Sequence, residues 1–182
     1  MSKKLLIILI SVVAVLGGIV TTFFGVYYSP LNKAKRALNF GYNASKIEIV
    51  LNQFDGTENV YRSQTQITKK DDGFAVKVLT TKLSSDPLSP NKFIMEENSY
   101  ELENLNLNFY NLKGSYLIGK IQDGNNFFAT VKENKIANFF SKDEGLISAN
   151  LQINYVDKAV NFYKVNFENE QFSYQMTMTF TY

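Results

Sequence analysis

This chain of 182 residues has no cysteine, no histidine and no tryptophan. The missing cysteine excludes disulfides, thiolate nucleophiles and attachment of a lipid through sulfur, and with the missing histidine it excludes Cys/His metal sites. No imidazole base is available near neutral pH. Arginine is scarce: Arg36 and Arg62 stand against 17 lysines. The planar fork preferred for phosphate and carboxylate recognition is therefore almost unused. A formal net charge of +2 gives no general attraction to nucleic acid, and no nucleic-acid partner is expected.

What is present begins with an apolar run. Residues 5–28 are 24 positions without a charge. As a helix they reach about 36 Å, enough to span a hydrocarbon core about 30 Å thick with some tilt. Lys3 and Lys4 precede the run, Tyr27 and Tyr28 close it, and Pro30 discourages its continuation. A cleaved secretory signal needs a shorter core and small residues at its exit, whereas Phe23, Phe24 and the two tyrosines are bulky. The sequence thus predicts an uncleaved single-pass anchor with the bilayer as partner. The long remainder is expected outside the cytoplasm, since a tail of residues 1–4 cannot form a domain. Ala14, Gly18 and Thr22 recur every fourth position, a stripe that lets membrane helices approach closely.

Residues 29–45 read as a basic amphipathic helix beside the membrane. Leu31, Ala34, Leu38 and Tyr42 share one face. Lys33, Lys35 and Arg36 are candidates for contact with anionic headgroups, at about 1 kcal/mol per cation. The plainer alternative packs the apolar face on the domain and leaves the cations solvated. Beyond Lys46 the chain carries 13 basic and 17 acidic residues.

From residue 46 to 182 the hydrophobic period becomes two. Ile47, Ile49 and Leu51 alternate with polar neighbours, and strands are predicted over 59–68 and 74–83, separated by the turn signal Asp71-Asp72-Gly73. Leu105, Leu107 and Phe109 alternate with Asn106, Asn108 and Tyr110, predicting another strand. Further strands are predicted over 115–122, 127–131, 151–155 and 160–167. The last is the clearest: Phe172, Tyr174, Met176, Met178, Phe180 and Tyr182 lie on one face, with Ser, Gln and Thr on the other. Such a pattern belongs to an antiparallel sheet covered on one side. Two short helices, Leu31–Tyr42 and one around 132–140, are available as cover. The expected class is α+β, mainly antiparallel β: a curved, half-barrel-like meander sheet behind a transmembrane helix, covered by one or two short helices.

The order of these features, a leading helix, a strand KKDDGFAVKVLTTKL, then FFATVKENKIANFF, NLQINY and a final aromatic/threonine strand, resembles the bacterial extracytoplasmic half-barrels of the LolA-like lipoprotein carriers. That resemblance implies an apolar ligand held between sheet and helices. It covers residues 31–182, rests on the strand pattern and transfers no functional residue. Members of that group are often anchored through a cysteine, which this chain lacks.

Catalytic signals are weak. Ser89-Pro90-Asn91-Lys92 matches Ser-x-x-Lys without its companion motifs. Glu96, Glu97, Glu101 and Glu103 cluster in sequence, but without the loop pattern a calcium site requires they read as a solvated face or turn. No catalytic residue, metal or cofactor is expected. The function read from sequence is a membrane-anchored, non-catalytic extracytoplasmic domain binding a lipid or other apolar ligand on the Phe172–Tyr182 face. The alternative is a structural subunit of a cell-envelope complex with a protein partner.

Overall fold

The computed structural model describes residues 29–84, 92–107, 109–141 and 145–182. Helix α1 (Pro30–Phe40) starts where Ser29 accepts a hydrogen bond from the Asn32 amide at 3.4 Å, with Pro30 in the first turn, the position where its missing N–H costs nothing. Ala34, Ala37 and Leu38 are buried; of the face that the spacing predicts, Ala34 and Leu38 are buried, Leu31 is half-buried, and Tyr42, past the helix end, is exposed. Gly41 ends the helix and a short 3-10 turn over Gly41–Asn43 follows.

Among the described residues nine strands follow: β1 (Lys46–Asp55), β2 (Glu58–Lys70), β3 (Gly73–Leu83), β4 (Phe93–Leu102), β5 (Leu117–Asp123), β6 (Asn126–Val131), β7 (Leu146–Val156), β8 (Ala159–Asn169) and β9 (Ser173–Thr181). Helix α2 (Ile136–Phe140) lies between β6 and β7. All pairings are antiparallel, in the order β4-β3-β2-β1-β9-β8-β7-β6-β5. The sheet is therefore two meanders joined by the pairing of the first strand with the last, and not one continuous meander. Ile47 faces Phe180, Ile49 faces Met178 and Leu51 faces Met176 across that seam.

The two meanders are connected by residues 103–116, which leave the β4 edge and return at the β5 edge. Gly73 begins β3 at φ 144°, and a Cβ there would strike the Leu102 carbonyl where the chain departs. Leu107 and Leu112 of this connection are buried, and Leu105 and Phe109 pack on the core. Leu105, Leu107 and Phe109, predicted as a strand, thus lie in a crossing segment outside the sheet. Its alternation arises because one side rests on apolar residues. With α1 and α2 it covers the β5–β9 half, where Phe127, Phe139, Ile153, Val160, Tyr163 and Val165 are fully enclosed.

Several expectations require correction. Among the described residues no helix is long and apolar enough to cross a membrane. The longest, α1, has 11 residues and reaches about 16 Å, roughly half the hydrocarbon thickness. The predicted span over 5–28, with its small-residue stripe, lies outside the described residues. Single-pass anchoring, the bilayer as partner, placement outside the cytoplasm and the anchored lipid-binding or envelope role built on them therefore lack structural support and are withdrawn. The half-barrel is corrected as well: β4 and β5 end the sheet on opposite sides, so it is open and not closed into a barrel.

Candidate functional site

The helix-covered face of the sheet changes character from β9 to β4. Pairing aligns Met178, Ile49, Thr65, Val78 and Asn98 in one rung, and Met176, Leu51, Ser63, Thr80 and Glu96 in the next. Apolar residues at β9 and β1 give way to hydroxyls at β2 and to an amide and a carboxylate at β4. The core ends where these rungs turn polar, because burying a hydroxyl or carboxylate without a partner is unfavourable.

A cleft of about 430 Å³ opens at that boundary. Ile49, Leu51 and Met176 line it beside Ser63 and Thr65, and Phe167, Asn169 and Tyr174 line it from the β8–β9 end. Tyr110, at φ 55°, lies over it and donates a hydrogen bond to Met176 Sδ at 3.6 Å. The Tyr110 ring is held edge-on by Phe140 at 4.7 Å. Phe167 and Tyr174 stack with centroids 4.9 Å apart and planes 8° from parallel. Asn169 Oδ1 accepts from the Gln171 and Phe172 amides at 3.0 and 2.7 Å, fixing the β8–β9 turn. Tyrosines are the cleft's ionisable lining among the described residues. It offers shape, aromatic faces and hydrogen-bonding groups, and no carboxylate or amine for proton transfer.

The six residues expected on one face of the last strand fall in different settings. Tyr174 and Met176 reach the cleft. Met178 and Phe180 are core residues, 3% and 6% exposed, with Phe109 6.3 Å from the Phe180 ring. Phe172 precedes β9 and meets Tyr174 edge-on. Tyr182 follows β9, packs on Phe40 and donates to the Val160 carbonyl at 3.2 Å. Of the three cations expected at a membrane surface, Lys33 and Arg36 flank a cleft beside Tyr155 and Gln122, while Lys35 borders another beside Asn106 and Asn111. They do not converge on one site.

Three of the clustered glutamates, Glu96, Glu97 and Glu101, lie on strand β4, and Glu103 follows it. Glu96 pairs with Lys82 at 2.7 Å, Glu97 with Lys77 at 2.9 Å and Glu101 with Lys70 at 2.5 Å. The hydrogen bond and charge of Lys70 hold the Glu101 carboxyl below its ordinary range. Among the described residues no group of three or more acidic side chains is placed to hold a metal ion. Lys92 of the Ser-x-x-Lys match pairs with Glu58, and Ser89 lies outside the described residues.

Sequence reasoning missed β4 altogether. All ten of its residues are exposed, and Phe93, Ile94, Met95, Tyr100 and Leu102 are large apolar side chains among them. The signal available in the sequence was the apolar FIM and Y-x-L flanking the glutamates.

Fold and site together define a class: an α+β domain with an open antiparallel sheet whose core reaches Val76 on β3 and whose edge strand β4 is exposed throughout. No protein-family model matches the chain, and no curated protein does. One solved structure that aligns with it is an N-terminal dehydratase from the difficidin assembly line, at 9% identity over 84% of each chain and a TM-score of 0.16. A likeness that slight carries no argument about activity.

Proposed function

We propose that the protein is a non-catalytic interaction domain that receives an extended polypeptide at the exposed β4 edge of its sheet. The observation behind this reading is β4 itself, a regular ten-residue strand exposed throughout at one margin of the sheet. A strand edge presents backbone N–H and C=O groups in the spacing another strand needs. Main-chain hydrogen bonds then supply affinity, and alternate side chains supply specificity. The covered half serves as the scaffold that holds this edge in place.

A photo-crosslinking residue placed in turn at Met95, Ser99 and Asn150 tests the proposal in cells. Asn150 is exposed on β7, in the covered half. The same polypeptide is expected from Met95 and Ser99, with none from Asn150. Equal labelling at all three positions, or no product at Met95 and Ser99, would remove the reading.

A further inference from the structure

The geometry points to a second copy of this chain as the strand that β4 receives, paired about a twofold axis through Asn98. This rests on the strand-addition reading and narrows it to one partner.

The two edges of the sheet differ. β5 is short, its pairing with β6 breaks between Ile118 and Ile121, and Gly119 sits there at φ 58°. Bulges of this kind blunt an edge. By contrast, β4 pairs with β3 over ten consecutive residues without a shift, and it contains no proline. Its glutamates are each paired with a lysine of the same sheet, Lys82, Lys77 or Lys70.

The backbone phase of the edge follows from one hydrogen bond. The Ser84 amide donates to the Lys92 carbonyl at 2.8 Å, and the β3–β4 register places these two residues opposite each other. Hydrogen-bonded pairs alternate along an antiparallel ladder. Even-numbered β4 residues thus bond inward to β3, and Phe93, Met95, Glu97, Ser99 and Glu101 direct their N–H and C=O groups outward.

Two copies joined edge to edge by antiparallel strands are related by a twofold axis normal to the sheet, and that axis must pass at a residue, because facing residues share a side of the sheet. Two positions pair nine residues of β4. With the axis at Glu97, that carboxylate faces its own copy. With the axis at Asn98, Glu97 faces Ser99, Met95 faces Glu101, Glu96 faces Tyr100, Ile94 faces Leu102 and Asn98 faces itself. Moving the axis to Ser99 sets Glu97 against Glu101. Directly opposed like charges destabilise a strand pair. Among these registers, the one centred on Asn98 alone keeps every glutamate away from another and also joins Ile94 to Leu102. Its hydrogen-bonded pairs are the odd-numbered residues, which are those with outward backbone groups.

The absence of native cysteine makes the register directly readable in the full-length chain. Under mild oxidation Asn98→Cys is expected to give a disulfide-linked dimer, since facing residues in a non-hydrogen-bonded pair have Cα atoms about 4.5 Å apart, within disulfide range. Glu97→Cys and Ser99→Cys are each expected to form no disulfide alone and to crosslink when mixed. Adding Ser99→Pro to Asn98→Cys removes an outward N–H without touching the β3 ladder, and should abolish the dimer while the unfolding midpoint holds. A monomeric Asn98→Cys chain, or equal crosslinking by all three single variants, would overturn the inference. If Met95 and Ser99 still capture a different polypeptide in cells, the wider reading survives that result; if they capture none, both fail.

Discussion

Tyr42 and Leu107 exchange two hydrogen bonds: the phenol donates to the Leu107 carbonyl and accepts from its amide, each at 3.2 Å. One side chain after α1 thereby satisfies both backbone groups of a buried residue in the 103–116 connection, which has no sheet neighbour to do so. Tyr42→Phe leaves both groups without that partner. A loss of about 1–3 kcal/mol is expected, read as a lower denaturant midpoint. An unchanged midpoint would mean that the connection is held by apolar packing alone.

Gly41, directly after α1, lies close against the sheet. A Cβ there would lie 2.8 Å from Phe180 Cε1 and 3.1 Å from Val160 Cγ1, and both neighbours are buried. Its φ of −54° is ordinary for any residue, so the requirement is space and not backbone freedom. Gly41→Ala is expected to cost about 1–3 kcal/mol through overpacking. Thermal unfolding checks this, and a neutral or stabilising outcome would show that helix and sheet can part freely.

Tyr163 is fully buried and donates to the Phe109 carbonyl at 3.0 Å. Burial pushes its phenol well above the ordinary 10.0. Its raised value in the folded state means that the contribution to stability is complete below the unfolded value and declines as pH rises above it, because the unfolded chain ionises first. Tyr163→Phe should cost about 1 kcal/mol at neutral pH. The gap between the two proteins should narrow from about pH 9 to about pH 11. A gap that stays constant over that range would place the phenol in contact with water.

The legible parts of this fold are those where one side of an element is buried. β9, β7 and α1 show clean periods because Met176, Met178, Leu151, Ile153, Ala34 and Leu38 meet a core. The Asp71-Asp72-Gly73 turn was readable because Gly73 needs a positive φ. β4 was not readable, since a strand solvated on both faces has no alternation to display. The 105–109 segment misled for the opposite reason: Leu107 is buried by lying on a sheet, and a period of two does not distinguish that from lying in one. Nor does any local signal state that β1 pairs with β9. The cleft depends on that seam and on the register, which alone set Met176 beside Leu51 and Leu51 beside Ser63. Tyr174 and Met176 could be nominated from the sequence, while Tyr110 and Asn169 could not.

Amide hydrogen exchange along β4, followed in the full-length chain at low and high concentration, addresses the working edge most directly. The account predicts that Met95, Glu97, Ser99 and Glu101 exchange freely when dilute and gain protection together when concentrated, while the β1–β9 seam is protected throughout. Gain of protection at β5, or none at the outward amides of β4, would contradict it.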